Sequence, residues 1–258
     1  MPDTALVTGA SSGIGAEFAR YHASKGGDLV IVARRKEPLE ALKLELEKAY
    51  SVSVTAFAMD VGTSGKATDL YETVRSHDID VDILINNAGF GGYGAFLDRE
   101  LAKDQAMIDL NVSALVTLSR LFGNEMRTRR HGKMLHVSSV ASFIPGPYQA
   151  VYYATKAFVT SFSQALDHEM RRDGITSTAL CPGVVRTEFI ASANLEGTGL
   201  SKQKGASPKS VAKCGYDAMM KGQLIAINER QLSFILNWIV PLIPHRQVLK
   251  MVESMQSK

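Results

Sequence analysis

The sequence has few cysteines and no long apolar run. Its 258 residues include two cysteines, Cys181 and Cys214, and no Cys-x-x-Cys pair. Two isolated thiols exclude a disulfide framework and a thiolate metal site and favour a reducing compartment, so we expect a cytoplasmic protein without a metal. No stretch reaches the roughly 18 apolar residues of a membrane-spanning helix. The nearest approach, Leu232 to Ile243, contains Pro241. No signal peptide precedes the first glycine-rich turn, so we expect the fold to begin almost at Met1.

Charge of one sign is also scarce. The chain carries 29 lysines and arginines and 26 acidic residues, for a net charge of +3, and the basic residues are scattered. A nucleic-acid-binding protein would concentrate them on one face, so we exclude nucleic acid as a partner. The hydrophobic fraction of 45% is typical of a globular protein with a substantial core.

Short apolar runs alternate with longer amphipathic stretches over most of the chain. Strands are predicted at 5–7, 29–33, 52–58, 83–86, 133–137, 176–180 and 224–227. Helices are predicted at 13–25, 37–49, 64–76, 102–129, 152–172 and 208–221. Such alternation indicates helices on both faces of one sheet. We therefore predict an α/β fold, with one doubly wound domain over residues 1–258 and a mainly parallel, seven-stranded sheet flanked by helices.

Two segments lie outside this alternation. Residues 188–207 are rich in small and polar side chains without a firm period, and we expect them to form a substrate lid. Residues 230–258 form an apolar C-terminal extension. Its most apolar part, Leu232 to Ile243, has three readings: core or pocket wall, dimer surface, or peripheral membrane contact.

The first predicted strand leads into a glycine-rich turn, Thr8-Gly9-Ala10-Ser11-Ser12-Gly13-Ile14-Gly15. Glycines let the backbone turn sharply and approach a ligand closely. The helix that follows presents free N–H groups and a positive dipole end, which favour a pyrophosphate. The spacing Gly-x-x-x-Gly-x-Gly differs from the commonest dinucleotide fingerprint, and a plain strand-to-helix turn is the alternative.

Two arginines, Arg34 and Arg35, follow the second predicted strand. In dinucleotide folds an acidic residue at this point binds the ribose 2′-hydroxyl of NAD, whereas arginine accommodates the 2′-phosphate of NADP. A guanidinium holds phosphate through paired, charge-assisted hydrogen bonds. The pair therefore favours NADP(H) over NAD(H), and capping of a surface strand is the alternative.

Tyr152 and Lys156 stand four residues apart in a predicted helix, so they share one face. A phenol has an unperturbed pKa of about 10, and a nearby ammonium lowers that pKa because it favours the phenolate. A tyrosine tuned in this way exchanges a proton with a carbonyl or alcohol oxygen. Two surface neighbours with no function are the alternative reading of the same spacing.

These residues together resemble the short-chain dehydrogenase/reductase family, from Thr8 to about Ile227. The glycine turn, Asp60-Val61, Asn86-Asn87-Ala88-Gly89 and Pro182-Gly183 followed by Thr187 match family motifs, and Ser139 precedes Tyr152 by the family spacing. The resemblance implies a Rossmann-like domain with the catalytic set Asn111, Ser139, Tyr152 and Lys156. The predicted cofactor-binding set is Gly9, Ser11, Ser12, Gly13, Ile14, Gly15, Arg34, Arg35, Asp60, Val61, Asn87, Ala88, Gly89, Tyr152, Lys156, Pro182, Gly183, Val185 and Thr187.

The resemblance also implies individual roles. Asp60 would contact the adenine amino group, Lys156 the nicotinamide ribose, and Pro182 to Thr187 the carboxamide, while Asn111 would hold a water linked to Lys156. Ser138 and Tyr153 lack the family spacing, so we expect them to be structural. Ser12 stands where many NADP-preferring members carry a basic residue, so the 2′-phosphate would rest mainly on Arg34 and Arg35.

The sequence thus predicts an NADP(H)-dependent oxidoreductase that acts on a small carbonyl or alcohol substrate. The alternatives are a 3-oxoacyl thioester reductase of lipid synthesis and a non-catalytic dinucleotide-binding sensor. Residues 90–94, 143–148 and 188–207 are candidate walls of an apolar substrate pocket, although their aromatic side chains also suit a core. The resemblance further implies a homodimer or homotetramer formed through the helices at 102–129 and 152–172.

Overall fold

The computed structural model describes residues 3–258, in which seven strands form a single, wholly parallel sheet. The strand order is β3-β2-β1-β4-β5-β6-β7. The strands are β1 (Thr4–Thr8), β2 (Asp28–Ala33), β3 (Val54–Ala58), β4 (Ile83–Asn86), β5 (Gly132–Val137), β6 (Ile175–Leu180) and β7 (Ile225–Ala226). The predicted doubly wound α/β fold is confirmed, with every strand pair parallel rather than most of them.

Helices cover both faces of the sheet. They are α1 (Gly13–Ala23), α2 (Lys36–Tyr50), α3 (Lys66–Ser76), α4 (Leu101–Ile108), α5 (Leu115–Arg129), α6 (Ala150–Met170), α7 (Phe189–Ser192), α8 (Pro208–Met220), α9 (Arg230–Phe234) and α10 (His245–Gln256). Successive residues of β1 face opposite layers, as a strand requires. Ala5 and Val7 pack with α1, α2 and α8, whereas Leu6 packs with α3 and α5.

The predicted helix at 102–129 is interrupted. A π-helical stretch, Asp109–Ala114, separates α4 from α5 and contains Asn111. By length and apolar content, Leu101–Arg129 is the one helical stretch in residues 3–258 that could cross a membrane, which corrects the expectation that none would reach that limit. Leu118, Phe122 and Met126 are nevertheless buried against the sheet, as in the core helix of a globular protein.

The topology fixes where a ligand can bind. The chain runs outward from β1 to β3 and then returns to the other side of β1 with β4, so the order reverses between β1 and β4. In open parallel sheets, ligands bind at the carboxyl ends of the strands beside such a reversal. The glycine turn after β1 and the Asn87–Gly89 segment after β4 meet at this point.

Candidate active site

A cavity of about 620 Å³ opens at the carboxyl ends of the strands. Its wall contains Ser139, Tyr152 and Lys156 together with the predicted cofactor residues, except Gly15. Asn111 also lies outside the wall, in the layer behind it. Residues that are far apart in the sequence therefore meet in one cleft.

The turn after β1 requires glycine for two different reasons. Gly9 and Gly13 have φ values of +68° and +57°, which L side chains rarely adopt. A Cβ on Gly9 would also lie 2.8 Å from Asn87 Nδ2. Gly15 does not line the cavity, and a Cβ there would collide with the backbone oxygen of Gly9. Gly15 therefore lets α1 pack closely on the turn, without lining the site.

Asn87 fixes the turn to the end of β4. Its Nδ2 donates to the backbone oxygens of Thr8, at 2.9 Å, and Gly9, at 3.3 Å. The Thr8 hydroxyl in turn accepts from the backbone N–H groups of Asn87 and Ala88, each at 3.0 Å. These bonds tie the carboxyl ends of β1 and β4 together, so the floor of the cavity is rigid.

Tyr152 and Lys156 lie on the inner face of α6, and both side chains are buried. The Lys156 ammonium donates to the backbone oxygen of Val137 at 2.8 Å and lies 5.8 Å from the centre of the Tyr152 ring. Burial lowers the pKa of Lys156 to about 8. Burial also raises the pKa of Tyr152 above its usual value, and the neighbouring Ser139 hydroxyl opposes that rise.

The expectation that Lys156 would set a lowered Tyr152 pKa is therefore wrong for the protein's own groups. The sequence spacing shows that an ammonium is near, but it does not show how little water reaches the phenol. Loss of hydration disfavours the phenolate, and it is the largest cause of the raised Tyr152 pKa. Tyr152 consequently carries its proton at neutral pH.

Two further side chains that line the cavity, those of Ser138 and Tyr153, make structural contacts. The Ser138 hydroxyl donates to the backbone oxygen of Lys156 at 2.8 Å and shares a 2.7 Å bond with Thr160. The Tyr153 hydroxyl accepts from Gln256 Nε2 at 2.7 Å. By contrast, the Ser139 hydroxyl caps the short 3₁₀ turn after β5 by accepting from Ala141 N–H at 3.1 Å, and it faces the cavity.

Asn111 reaches the site because the helix widens around it. Its Nδ2 donates to Phe90 O at 3.0 Å and to Thr155 Oγ1 at 3.1 Å, and its Oδ1 accepts from Phe90 N–H at 3.1 Å. A Cβ on Gly89 would lie 2.9 Å from Asn111 Oδ1 and 3.5 Å from Lys156 Nζ. Asn111 and Lys156 thus converge on Gly89. Short π-helical turns often occur at functional sites, but the sequence gives no clear signal for them.

The two arginines after β2 both face carboxylates. Arg34 Nη1 lies 3.9 Å from Asp60 Oδ2, an exposed and distant pair. Arg35 Nη2 donates to Glu188 Oε2 at 3.0 Å, and the Ser12 hydroxyl donates to the same oxygen at 3.2 Å. Glu188 was predicted as part of the lid and pocket wall but not as a neighbour of Arg35, because nothing in the sequence indicates that the start of the predicted lid reaches the end of β2.

The segment after β6 forms one wall of the cavity. Gly183 N–H donates to Asn228 Oδ1 at 3.2 Å, and a Cβ on Gly183 would lie 2.6 Å from Glu229 Oε1. Val185 forms an isolated parallel bridge with Ala206. The two ends of the stretch 186–205 are therefore adjacent in space. The predicted lid is therefore a closed loop, which includes the one-turn helix α7.

Comparison with known proteins identifies the family. The sequence model described as short chain dehydrogenase matches residues 3–197. The chain belongs to the short-chain dehydrogenase family. A family member from Sphingobium yanoikuyae, solved in complex with NADPH, superposes with a TM-score of 0.85 at 30% identity, covering 96% of this chain and 94% of its own.

Two curated relatives show the range of chemistry in this neighbourhood of the family. A farnesol dehydrogenase from Aedes aegypti is 34% identical over 75% of this chain and 81% of the relative. A very-long-chain 3-oxoacyl-CoA reductase from Laccaria bicolor is 35% identical over 67% of this chain and 52% of the relative. The chain is thus an oxidoreductase by family membership.

The cavity of this short-chain dehydrogenase fits a nicotinamide dinucleotide. The glycine turn leaves room for a ligand to approach the backbone, and Gly89 leaves room beside Lys156 and Asn111. An anion is already held beside the turn, because the carboxylate of Glu188 occupies donors of Ser12 and Arg35. Donors that hold one anion are suited to another, such as a phosphate.

The substrate end of the cavity is largely apolar. The aromatic rings of Phe189 and Tyr152 lie 5.4 Å apart between their centres, and Phe90 and Ile144 also line the wall. Two other predicted wall residues, Tyr93 and Tyr148, lie outside it and pack on each other, with ring centres 5.7 Å apart. Phe143 is likewise absent from the wall, so only part of residues 90–94 and 143–148 forms the pocket.

Residues 188–207 and the C-terminal segment complete the wall. Seven residues of the 188–207 segment contribute, namely Glu188, Phe189, Ile190, Ser192, Leu195, Leu200 and Gln203. From the C-terminal segment, Leu232, Leu236 and Met255 face the cavity. The pocket-wall reading of Leu232 to Ile243 therefore holds for one side of that segment.

Proposed function

We propose that this short-chain dehydrogenase is an NADP(H)-dependent oxidoreductase that interconverts a carbonyl and an alcohol, with Tyr152 as general acid/base. The observation that carries the proposal is that the side chains of Tyr152, Ser139 and Lys156 line one cavity, with Lys156 Nζ 5.8 Å from the centre of the Tyr152 ring. A general acid must lie within reach of the substrate oxygen, and this wall provides that position.

The cofactor set would be held along the carboxyl ends of the strands. When bound, NADP(H) supplies the hydride chemistry. Asp60 and Val61 would contact the adenine end, and Pro182 to Thr187 would bind the carboxamide. Arg34 and Arg35 are the guanidinium groups available for a 2′-phosphate, and this availability supports NADP(H) over NAD(H).

Two side chains act on the substrate oxygen in this proposal, and Lys156 acts through one of them. Ser139 donates a hydrogen bond that stabilises negative charge on that oxygen. Tyr152 donates its proton in reduction, since burial keeps the phenol protonated at neutral pH. Lys156, with a pKa near 8, stabilises the resulting phenolate electrostatically while it is charged. Asn111 orients the layer behind Lys156 through its bonds with Phe90.

An absorbance assay tests the proposal. NADPH and NADH oxidation are followed with a panel of ketones, aldehydes and oxoacyl thioesters, using wild-type protein, Tyr152→Phe and the matched variant Tyr153→Phe. We expect Tyr152→Phe to lower kcat by at least ~100-fold, because the proton donor is lost. Tyr153→Phe should keep most of kcat and lose about 1 kcal/mol of unfolding free energy, because its bond with Gln256 is lost. Full activity of Tyr152→Phe would refute the proposal.

A 3-oxoacyl thioester reductase is the second candidate. Similarity to the Laccaria bicolor reductase and the apolar substrate end of the cavity favour it. If it is correct, kcat/KM should depend on the acyl chain length of the thioester. A non-catalytic sensor would instead bind NADPH without turnover of any substrate in the panel.

Three further proposals complete this function. Residues 188–207 act as the substrate lid of a single domain over 1–258. A homodimer or homotetramer forms through the helices at 102–129 and 152–172, and the exposed Leu101, Ile108 and Phe158 on α4 and α6 support it. The protein is cytoplasmic, in keeping with the two free cysteines.

A further inference from the structure

The donors proposed to hold the 2′-phosphate already hold a carboxylate of the same chain. Arg35 directs Nη2 and Nη1 at Glu188 Oε2 and Oε1, at 3.0 and 3.4 Å. The Ser12 hydroxyl donates to Oε2 at 3.2 Å. Arg35 Nη2 also lies within 3.5 Å of Ser11 Oγ. Through these bonds, Glu188 connects the predicted lid to the phosphate turn and to the end of β2.

The Arg35–Glu188 ion pair is weak enough for another anion to replace the Glu188 carboxylate at Arg35. The side chains of Arg35 and Glu188 are 48% and 67% exposed, and such exposed ion pairs contribute little to stability. Hydrogen bonds from Arg35 and Ser12 lower the pKa of Glu188, so its carboxylate is ionised at neutral pH. A second anion at Arg35 would therefore meet a negative charge as well as a positive one.

The competition would fall on the phosphate and not on the rest of the cofactor. A 2′-phosphate carries a charge of about −2 near neutral pH, whereas a 2′-hydroxyl is neutral. Both cofactors carry the same pyrophosphate, so Glu188 discriminates between them only through its repulsion of the 2′-phosphate, which NADP(H) alone carries. Arg34 makes only a distant, exposed contact with Asp60 at 3.9 Å, so the competition falls on Arg35.

We propose that Glu188 is a specificity-determining residue, which competes with the 2′-phosphate for Arg35 and Ser12 and so narrows the preference for NADP(H) over NAD(H). The inference rests on the proposed function, since it takes Arg35 as the phosphate-binding group. It assigns to the first residue of the predicted lid a role at the adenosine end of the cofactor.

Binding of cofactor fragments tests this role without turnover. Calorimetry gives the Kd of 2′,5′-ADP and of 5′-AMP for wild-type protein, Glu188→Gln and the control Glu196→Gln, which removes the same charge from an exposed lid position. We expect Glu188→Gln to bind 2′,5′-ADP about three- to tenfold more tightly and 5′-AMP within about twofold of wild type. The gain should shrink at high ionic strength, and Glu196→Gln should show little of it.

Arg35→Gln separates failure of this inference from failure of the proposed function. If Arg35→Gln weakens 2′,5′-ADP binding but Glu188→Gln leaves it unchanged or weakens it, competition is refuted and the NADP(H) assignment stands. If Arg35→Gln has no effect on either fragment, Arg35 is not the phosphate-binding group, and both proposals fail at this residue. If Glu188 competes with the phosphate for Arg35, Glu188→Gln should no longer tighten 2′,5′-ADP binding in a protein that also carries Arg35→Gln.

Discussion

The two ends of the cavity differ in how their side chains are held. At the cofactor end, Asn87 is hydrogen-bonded to the turn after β1, and Lys156 is bonded to the end of β5. At the substrate end, the lid carries one short helix, and the segment 230–242 passes from α-helical to π-helical and then to 3₁₀ geometry. Phe234, Trp238 and Leu242 on that segment are 60%, 68% and 84% exposed.

The contrast follows from what each end must recognise. A dinucleotide presents the same phosphates and carboxamide to every member of the family, so rigid strand ends and glycines at fixed positions suit it. Substrates vary, and they are contacted by loops that a rigid scaffold positions. Glu188 differs from both groups, because it belongs to the loop that forms the substrate end but contacts Arg35 at the cofactor end.

The same substitution in both regions gives the largest expected difference. Gly15→Ala places a Cβ against the Gly9 backbone oxygen, so we expect a loss of about 3 kcal/mol or more in unfolding free energy, together with loss of NADPH binding. Gly197→Ala in the lid meets no atom within 4 Å and only adopts an unfavourable φ of +83°. It should cost about 1–2 kcal/mol and keep NADPH binding. Urea unfolding measures the loss of stability in each variant, and NADPH titration measures the loss of binding. Equal losses in the two variants would show that the two ends of the cavity do not differ in this way.

The same contrast explains what the sequence could predict. Tyr152 and Lys156 were predicted because a spacing of four residues places them on one face of a helix, here α6. Ser139 was predicted from the resemblance to the family, because it precedes Tyr152 by the family spacing. The glycine turn was predicted because close approach of backbone to ligand leaves glycine as the suitable residue. These signals are local in sequence, so no knowledge of the tertiary packing was needed.

Features that depend on packing were not predictable in this way. The π-helical turn at Asn111 changes the hydrogen-bond register without changing the apolar pattern. The raised Tyr152 pKa reflects burial by Phe189 and other neighbours from distant segments. The Glu188–Arg35 pair joins residues 153 positions apart. Each of these became visible only after the lid and the sheet were placed together.

A buried histidine gives the rigid region a pH dependence of intermediate size. His136 on β5 has no exposed surface, and its Nδ1 lies 3.2 Å from Asn86 Nδ2. Burial lowers the pKa of His136 from 6.5 to about 3. The unfolded chain therefore binds a proton below about pH 6.5 that the folded chain excludes, and the unfolding free energy falls as pH falls through this window. The fall is at most about 1.4 kcal/mol per pH unit.

Urea unfolding between pH 7 and roughly pH 4.5 measures this contribution. We expect His136→Gln, which retains an acceptor for Asn86, to flatten the acid side of the profile. His77→Gln, at an exposed position on the C-cap of α3, serves as the matched control for loss of a histidine. An equal flattening in both variants would show that His136 is not the source of the slope.

The smallest expected effect lies on the outer face of the C-terminal segment. Trp238 is the single tryptophan of the chain and is 68% exposed, so its emission reports this face alone. At low protein concentration we expect long-wavelength emission and full quenching by iodide, with Trp238→Phe confirming the source of the signal. Blue-shifted, unquenched emission under these conditions would show that the face is buried within one chain. A blue shift on raising the concentration would favour the dimer reading of Leu232 to Ile243, and one on adding anionic vesicles would favour the membrane reading.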